Sequence, residues 1–209
     1  MCSSDLSVLE RYGNLRNMSR DLSITPPSEA FVPPRHAQAP APGSLLGSHN
    51  QDCFGCGLSH PSGLHLVAFA GEGMTIQAKF TVTELHQGAP GLAHGGLLSC
   101  AFDEALGKLM WLVREPAVTG KLETSFLMPV QVGATLHIQA EIMGQHGRKI
   151  YCRARGHLNS LEGPVAVEAA AIFIIVPIAH FIENAPVGYR DALFGSGSRA
   201  VDTEFEINP

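Results

Sequence analysis

Charge is scarce in this sequence. Asp, Glu, Lys and Arg together make up 16% of its 209 residues, where about a quarter is usual. A surface so short of charge implies that part of it is covered by a partner or a second copy. The basic side lacks numbers too: 14 Lys and Arg stand against 19 Asp and Glu, a net charge of -5. Nucleic-acid binders carry a basic excess, so nucleic acid is not expected as a partner. Long apolar runs are also missing. The longest, Ala169 to Val176, falls far short of the roughly 20 residues that span a bilayer, and no membrane association is expected. The N-terminus has no basic-then-apolar signal pattern, because Asp5, Glu10, Arg11 and Arg16 interrupt it. A cytoplasmic protein is therefore expected. Its five cysteines, an odd number, are read as thiols.

What is present falls into three parts. Residues 1–50 form a Pro/Ala-rich extension, with a helix expected over 5–22. Six prolines between Thr25 and Gly43 favour extended chain over a packed core. Residues 51–180 carry the periodic patterns of a folded domain, and residues 181–209 form a tail. Leu64, Leu66 and Ala68 alternate in the manner of a strand, as do Met74 to Val82 after a turn at Gly71 and Gly73. His86 to Gly91 is a Gly/Pro-rich loop. Leu98, Ala101, Phe102, Ala105, Leu109 and Val113 then recur at spacings of three and four, while Leu97, Leu106 and Met110 widen the apolar face. A helix apolar almost all round is buried, and Pro116 stops it. Four strands are expected after it: 118–127, 134–144, 149–158 and 165–176. One buried helix followed by long consecutive strands predicts an α+β fold, an antiparallel sheet wrapped around a helix.

The chemistry concentrates at that helix. His94-Gly95-Gly96 stands where it begins. The first amides of a helix lack intrahelical acceptors and lie at the positive end of its dipole. Without a Cβ, Gly95 and Gly96 let a substrate oxygen come close, which is how an oxyanion hole is built. Asp103 lies inside the apolar pattern, where a carboxylate is costly unless it is paired or used. Glu104, one position round the helix, is the rival and is expected to be the solvated member of the pair. His86 is placed at the mouth of the pocket. Lys121 is a further candidate for substrate binding, and Arg148, Lys149, Arg153 and Arg155 are the other basic residues downstream.

His94 and Asp103 are nine residues apart, about 13 Å of helical rise and two and a half turns. One subunit cannot easily aim both at one small substrate. A twofold homodimer could, by setting the helix start of one copy against Asp103 of the other. Such dimers could pair again as a dimer of dimers.

The runs Gly88-Ala-Pro-Gly-Leu-Ala-His94-Gly-Gly and Asp103-Glu-Ala-Leu-Gly resemble the hotdog-fold thioesterases of the phenylacetate-pathway type. The resemblance covers about residues 52–178. It implies hydrolysis of acyl-CoA thioesters, with Gly95 as oxyanion-hole amide, Asp103 as general base or nucleophile and His94 as an orienting group. In the run from Val118 to Val130, Thr119 occupies the place, ten residues before Pro129, that helps hold the water. Leu127 and Met128 stand where many relatives carry basic residues, so the contact to CoA phosphates departs from the pattern. The alternatives on the same fold are a non-catalytic acyl-CoA binder or sensor and an acyl-thioester dehydratase. The latter would place a histidine on the helix, and none lies between Gly95 and Arg114.

Cys53-Phe-Gly-Cys56 supplies two of the four ligands that a structural zinc site takes. His60 and His65 complete the set on paper. The run is read instead as a tight turn leading into the first strand. Neither a metal nor a cofactor is expected.

Overall fold

The computed structural model of this chain describes residues 22–186. The helix expected over 5–22 lies outside them except for its last residue, as does the tail beyond residue 186. The apolar positions after His94 form helix α1, Gly95–Gly107, which buries Leu98, Ala101, Phe102, Ala105 and Leu106. The expected single helix to Val113 is interrupted. At Lys108 and Leu109 the bonding tightens to i→i+3, with Leu109 N–H donating to Leu106 and Trp111 N–H to Lys108. A second short helix, α2, follows over Met110–Val113. Arg114, in the left-handed region at φ 55°, ends it.

Seven strands wrap this helix. In chain order they are β1 (Leu45–Leu46), β2 (Val67–Ala70), β3 (Thr75–Thr81), β6 (Ala117–Phe126), β7 (Thr135–His146), β8 (Lys149–Leu158) and β9 (Val165–Ile175). The order across the sheet is β1-β2-β3-β7-β8-β9-β6, and every neighbouring pair is antiparallel. Between β3 and α1, Gln87–Ala89 (β4) and Leu92–Ala93 (β5) form a small hairpin in the stretch expected to be a loop. A short helix, α3 (Ile178–Asn184), closes the described chain.

Burial alternates along β3, with Ile76, Ala78 and Phe80 inside and Gln77 and Lys79 outside. The inner faces of β7, β8 and β9 supply Leu136, Ile138, Ile150, Ala154, Val167 and Phe173 to the same core. Helix α1 approaches closely at one point: a Cβ on Gly156 would stand 2.8 Å from Phe102 Cζ. That position in β8 therefore needs glycine for the Phe102 ring to pack against the strand.

The sequence placed a strand over Leu64, Leu66 and Ala68. Leu64 and Leu66 are buried as expected, but the strand begins only at Val67. His65, at φ 48°, breaks the extended run. Leu64 N–H and Leu66 N–H bond to Phe54 O and Gly55 O instead of to a strand. The first strand of the sheet, β1, lies within the segment read as extension, and Leu46 enters the core. The rest of residues 22–44 carries no regular element but is tied down. Phe31 pairs with Gln145, and Arg35 donates to Gly71 O and Gly73 O at 2.9 and 2.6 Å. Ser23 binds the Glu123 carboxylate through its amide and its hydroxyl.

Candidate functional site

Helix α1 begins with its own cap. His94, in extended conformation at φ -71° and ψ 130°, accepts the Gly96 N–H on Nδ1 at 2.9 Å. That bond makes Nδ1 the acceptor, which places the proton of a neutral ring on Nε2. Leu97 N–H bonds back to His94 O. Among the described residues the Gly95 N–H meets no acceptor. The first turn thus holds one free amide, Gly95, while Gly96 is engaged by His94. A Cβ on Gly95 would lie 3.4 Å from the Phe126 ring.

At the other end of α1, Asp103 faces β6. Thr119 Oγ1 donates to Asp103 Oδ1 at 2.8 Å. Strand β6 is set up for this contact by a bulge between Thr119 and Lys121. There Gly120 allows close approach, since a Cβ would stand 2.8 Å from Ile174 Cγ1. Burial pushes the Asp103 carboxyl above its ordinary value of 3.8, and the Thr119 bond offsets part of that rise. Asp103 and Thr119 line a cavity of about 380 Å³ with His49, Cys53, Phe54, Gly55, Cys100, Glu104, Gly107, Val118, Phe173 and Phe181. His94, Gly95 and Gly96 are not among its walls.

The structure therefore brings Asp103 and Thr119 together and keeps the helix start apart from them within one chain. Other expectations change. Glu104 is not the solvated member of the pair: its side chain is 10% exposed and lies 3.2 Å from Lys108 Nζ, one turn further along α1. His86 does not stand at the cavity mouth. It is 2% exposed, and its Nδ1 accepts the Thr83 N–H at 3.0 Å, capping the turn before β4. Lys121 pairs with Glu123 at 2.7 Å on the outer strand. Arg153 and Arg155 pair with Glu141 and Glu168 at 2.7 and 2.9 Å. They project opposite to Cys152 and Ala154, which enter the core. Neither lines the Asp103 cavity. Arg148 donates to Ile175 O at 3.4 Å.

Sequence reasoning missed Lys108, fully buried although charged, and His49, beside Cys56. The four-residue spacing from Glu104 to Lys108 was the available signal. His60 and His65 do not join the cysteines. His60 stacks edge-on against Phe54, and the His65 ring bonds Gly57 O. Cys53, Cys56, Cys100 and Cys152 are free thiols.

Residues 90–162 match the family model of the thioesterase superfamily. This segment is similar to members of that superfamily. It contains the helix start, Asp103, Thr119 and the first strands after α1. The acyl-coenzyme A thioesterase THEM4 of Xenopus laevis is 28% identical over 90 residues, 42% of this chain and 39% of that protein. The chain thus matches well under half the length of this curated relative. Among solved structures, the PaaI protein from the E. coli phenylacetic acid degradation operon is similar at a TM-score of 0.50. It is 18% identical and the match covers 55% of this chain and 81% of that one. Zebra fish thioesterase superfamily member 2 is similar at 0.49, with 16% identity over 53% of this chain and 81% of its own. The antiparallel sheet around α1 is a hotdog fold.

Proposed function

We propose that this protein hydrolyses acyl-CoA thioesters to the free acid and CoA, in the cytoplasm and as a homodimer, as part of lipid metabolism. The observation that carries the reading is the Asp103–Thr119 pair. A carboxylate held in a cavity by one hydroxyl, with its pKa raised by burial, is a better base than a solvated one. A binding module has no need of it. The likeness to an acyl-coenzyme A thioesterase over the matched segment supports the same chemistry.

In this reading Asp103 takes a proton from water as the water oxygen attacks the thioester carbonyl. The carbonyl oxygen becomes an oxyanion and accepts from the Gly95 N–H of a second subunit, with the positive end of α1 behind it. His94 holds the first turn in place through Nδ1. Collapse breaks the carbon–sulfur bond. The CoA thiolate leaves with the proton that Asp103 took, and the acid is released.

The test is a panel of acyl-CoAs of graded chain length, branching and ring content, followed by detection of free thiol. Turnover of at least one class that disappears in Asp103→Asn supports hydrolysis. Tight binding of acyl-CoA without thiol release would make the protein a binder or sensor. Release of water rather than thiol from a hydroxyacyl thioester would make it a dehydratase.

A further inference from the structure

A second polar cluster, His49, Cys53 and Glu104 with the buried Cys56, forms part of the wall of the same cavity, and hydrolysis makes no use of it. One ligand atom each from His49, Cys53, Cys56 and Glu104 lies within 4.8 Å of all the others. His49 Nδ1 is 3.3 Å from Cys56 Sγ, and Cys53 Sγ is 3.4 Å from Glu104 Oε2. Tetrahedral zinc bonds of roughly 2.0–2.3 Å place neighbouring ligands roughly 3.3–3.8 Å apart. The donors therefore need little rearrangement to close on one ion.

Three further observations point to a ligand. Glu104 Oε1 is buried and accepts no hydrogen bond, although Lys108 Nζ lies 3.2 Å away and His49 Nδ1 3.8 Å away. The ion pair with Lys108 leaves the hydrogen-bonding capacity of this buried oxygen unmet, which is costly. The backbone is also shaped to keep the donors together. Gly57 N–H closes on Cys53 O at 2.8 Å, and a Cβ at Gly55 would stand 2.8 Å from Glu104 Cγ. Lastly, the charges balance. Lys108 and Glu104 cancel, so exchanging two thiol protons for a divalent cation leaves the buried cluster neutral. Lys108 Nζ, 3.5 Å from Cys56 Sγ and 2.8 Å from Gly47 O, stands where an outer donor to a thiolate would.

We propose that His49, Cys53, Cys56 and Glu104 bind one zinc ion tetrahedrally. Four protein ligands leave no open position, so the site is structural. It pins the loop of residues 47–57 to α1, one residue past Asp103, and fixes one wall of the cavity that holds it.

The full-length chain, purified reduced and without chelator, is to be analysed for metal and titrated with zinc chloride after its metal is removed. About one zinc per chain is expected. Cobalt(II) in its place should give intense thiolate-to-metal absorption and the visible bands of tetrahedral cobalt. Cys56→Ser should abolish both, and Cys100→Ser should change neither. Glu104→Gln should keep the thiolate absorption but bind zinc at least tenfold more weakly. This variant and the wild-type cobalt spectrum decide the matter if Cys56→Ser does not fold. Three outcomes overturn the proposal: a reduced wild-type chain that takes up neither metal, a resting Cys53–Cys56 disulfide in metal-free protein, or zinc held equally well by Cys56→Ser.

Discussion

The Thr119 hydroxyl donates to Asp103 Oδ1 at 2.8 Å, while Asp103 Oδ2 has no donor among the described residues. One oxygen of this cavity-lining carboxylate is thus anchored by β6, and the other is left without a donor. Asp103→Asn, which keeps the shape and the Thr119 bond, should lower kcat by on the order of a hundredfold or more, the usual effect of losing a general base. Thr119→Val should cost less, since the base survives without its anchor. Steady-state kinetics on the best substrate of the panel checks both. Wild-type turnover in Asp103→Asn, with Glu104→Gln inactive, would assign the base to the neighbouring residue.

The separation of the free Gly95 amide from the Asp103 cavity makes a prediction about assembly. Gly95→Val should be inactive because its side chain crowds the first turn, and Asp103→Asn should be inactive for want of a base. Mixed and allowed to exchange subunits, the two should recover about a quarter of wild-type activity. Half of the protein is then heterodimer, and each heterodimer has one intact site of two. Sizing of each variant alone confirms that both dimerise. Complete exchange without recovery would mean that each site is built within one chain.

His94 caps α1 through Nδ1. His94→Ala should destabilise the protein by about 1 kcal/mol, the typical cost of a lost N-cap, whereas His94→Asn should lie within a few tenths of wild type. Urea denaturation distinguishes the two. Equal losses in both variants would show that the histidine ring matters by its packing and not by its acceptor.

Gly156 and Phe102 should be coupled. Gly156→Ala puts a methyl 2.8 Å from Phe102 Cζ and 3.2 Å from Leu136 Cδ2, and overpacking of that kind costs about 1–3 kcal/mol. Phe102→Leu alone removes buried ring volume and also destabilises. The double variant should lose less than the sum, with a coupling of at least about 0.5 kcal/mol.

The contact between the N-terminal segment and β6 should survive mild acid. Lys121 and then Ser23 hold the Glu123 carboxyl down to about 2, below its ordinary 4.5. A depressed carboxylate contributes fully above its unfolded pKa and is lost only as pH falls through the folded value. Exchange protection of the Ser23 and Ile24 amides should therefore persist through pH 4.5 and vanish near pH 2. In Glu123→Gln that protection should be reduced at every pH.

The main elements were legible because their periods are strong. The three- and four-residue recurrence after His94 gave the buried helix, and the four strands after Pro116 were placed within a few residues of their ends. Asp103 stood out as a carboxylate in an apolar pattern. What was not legible depends on tertiary neighbours. His65 breaks the expected strand because the Cys53–Cys56 loop takes the hydrogen bonds of its flanking residues. Glu104 looked solvated because nothing in its local sequence says that a loop some 50 residues earlier folds over it. His86 looked like a loop histidine, yet its ring completes a turn and is buried. Each case turns on a contact between distant parts of the chain, which periodicity does not encode.

The segment from Ser23 to Leu46 touches β6, then β7, then the β2–β3 turn, and ends as the edge strand beside β2. It leaves the ribosome before any of these. Its bond to Glu123 joins positions 100 residues apart in sequence, so that contact must wait until the central helix and β6 have emerged. Closing so long a loop is entropically slow and belongs late in folding. During synthesis a segment that appears before its partners is thus among the last to find its place. The β2 edge it will cover stays open until then, which makes the nascent chain most vulnerable to strand-to-strand association at that edge.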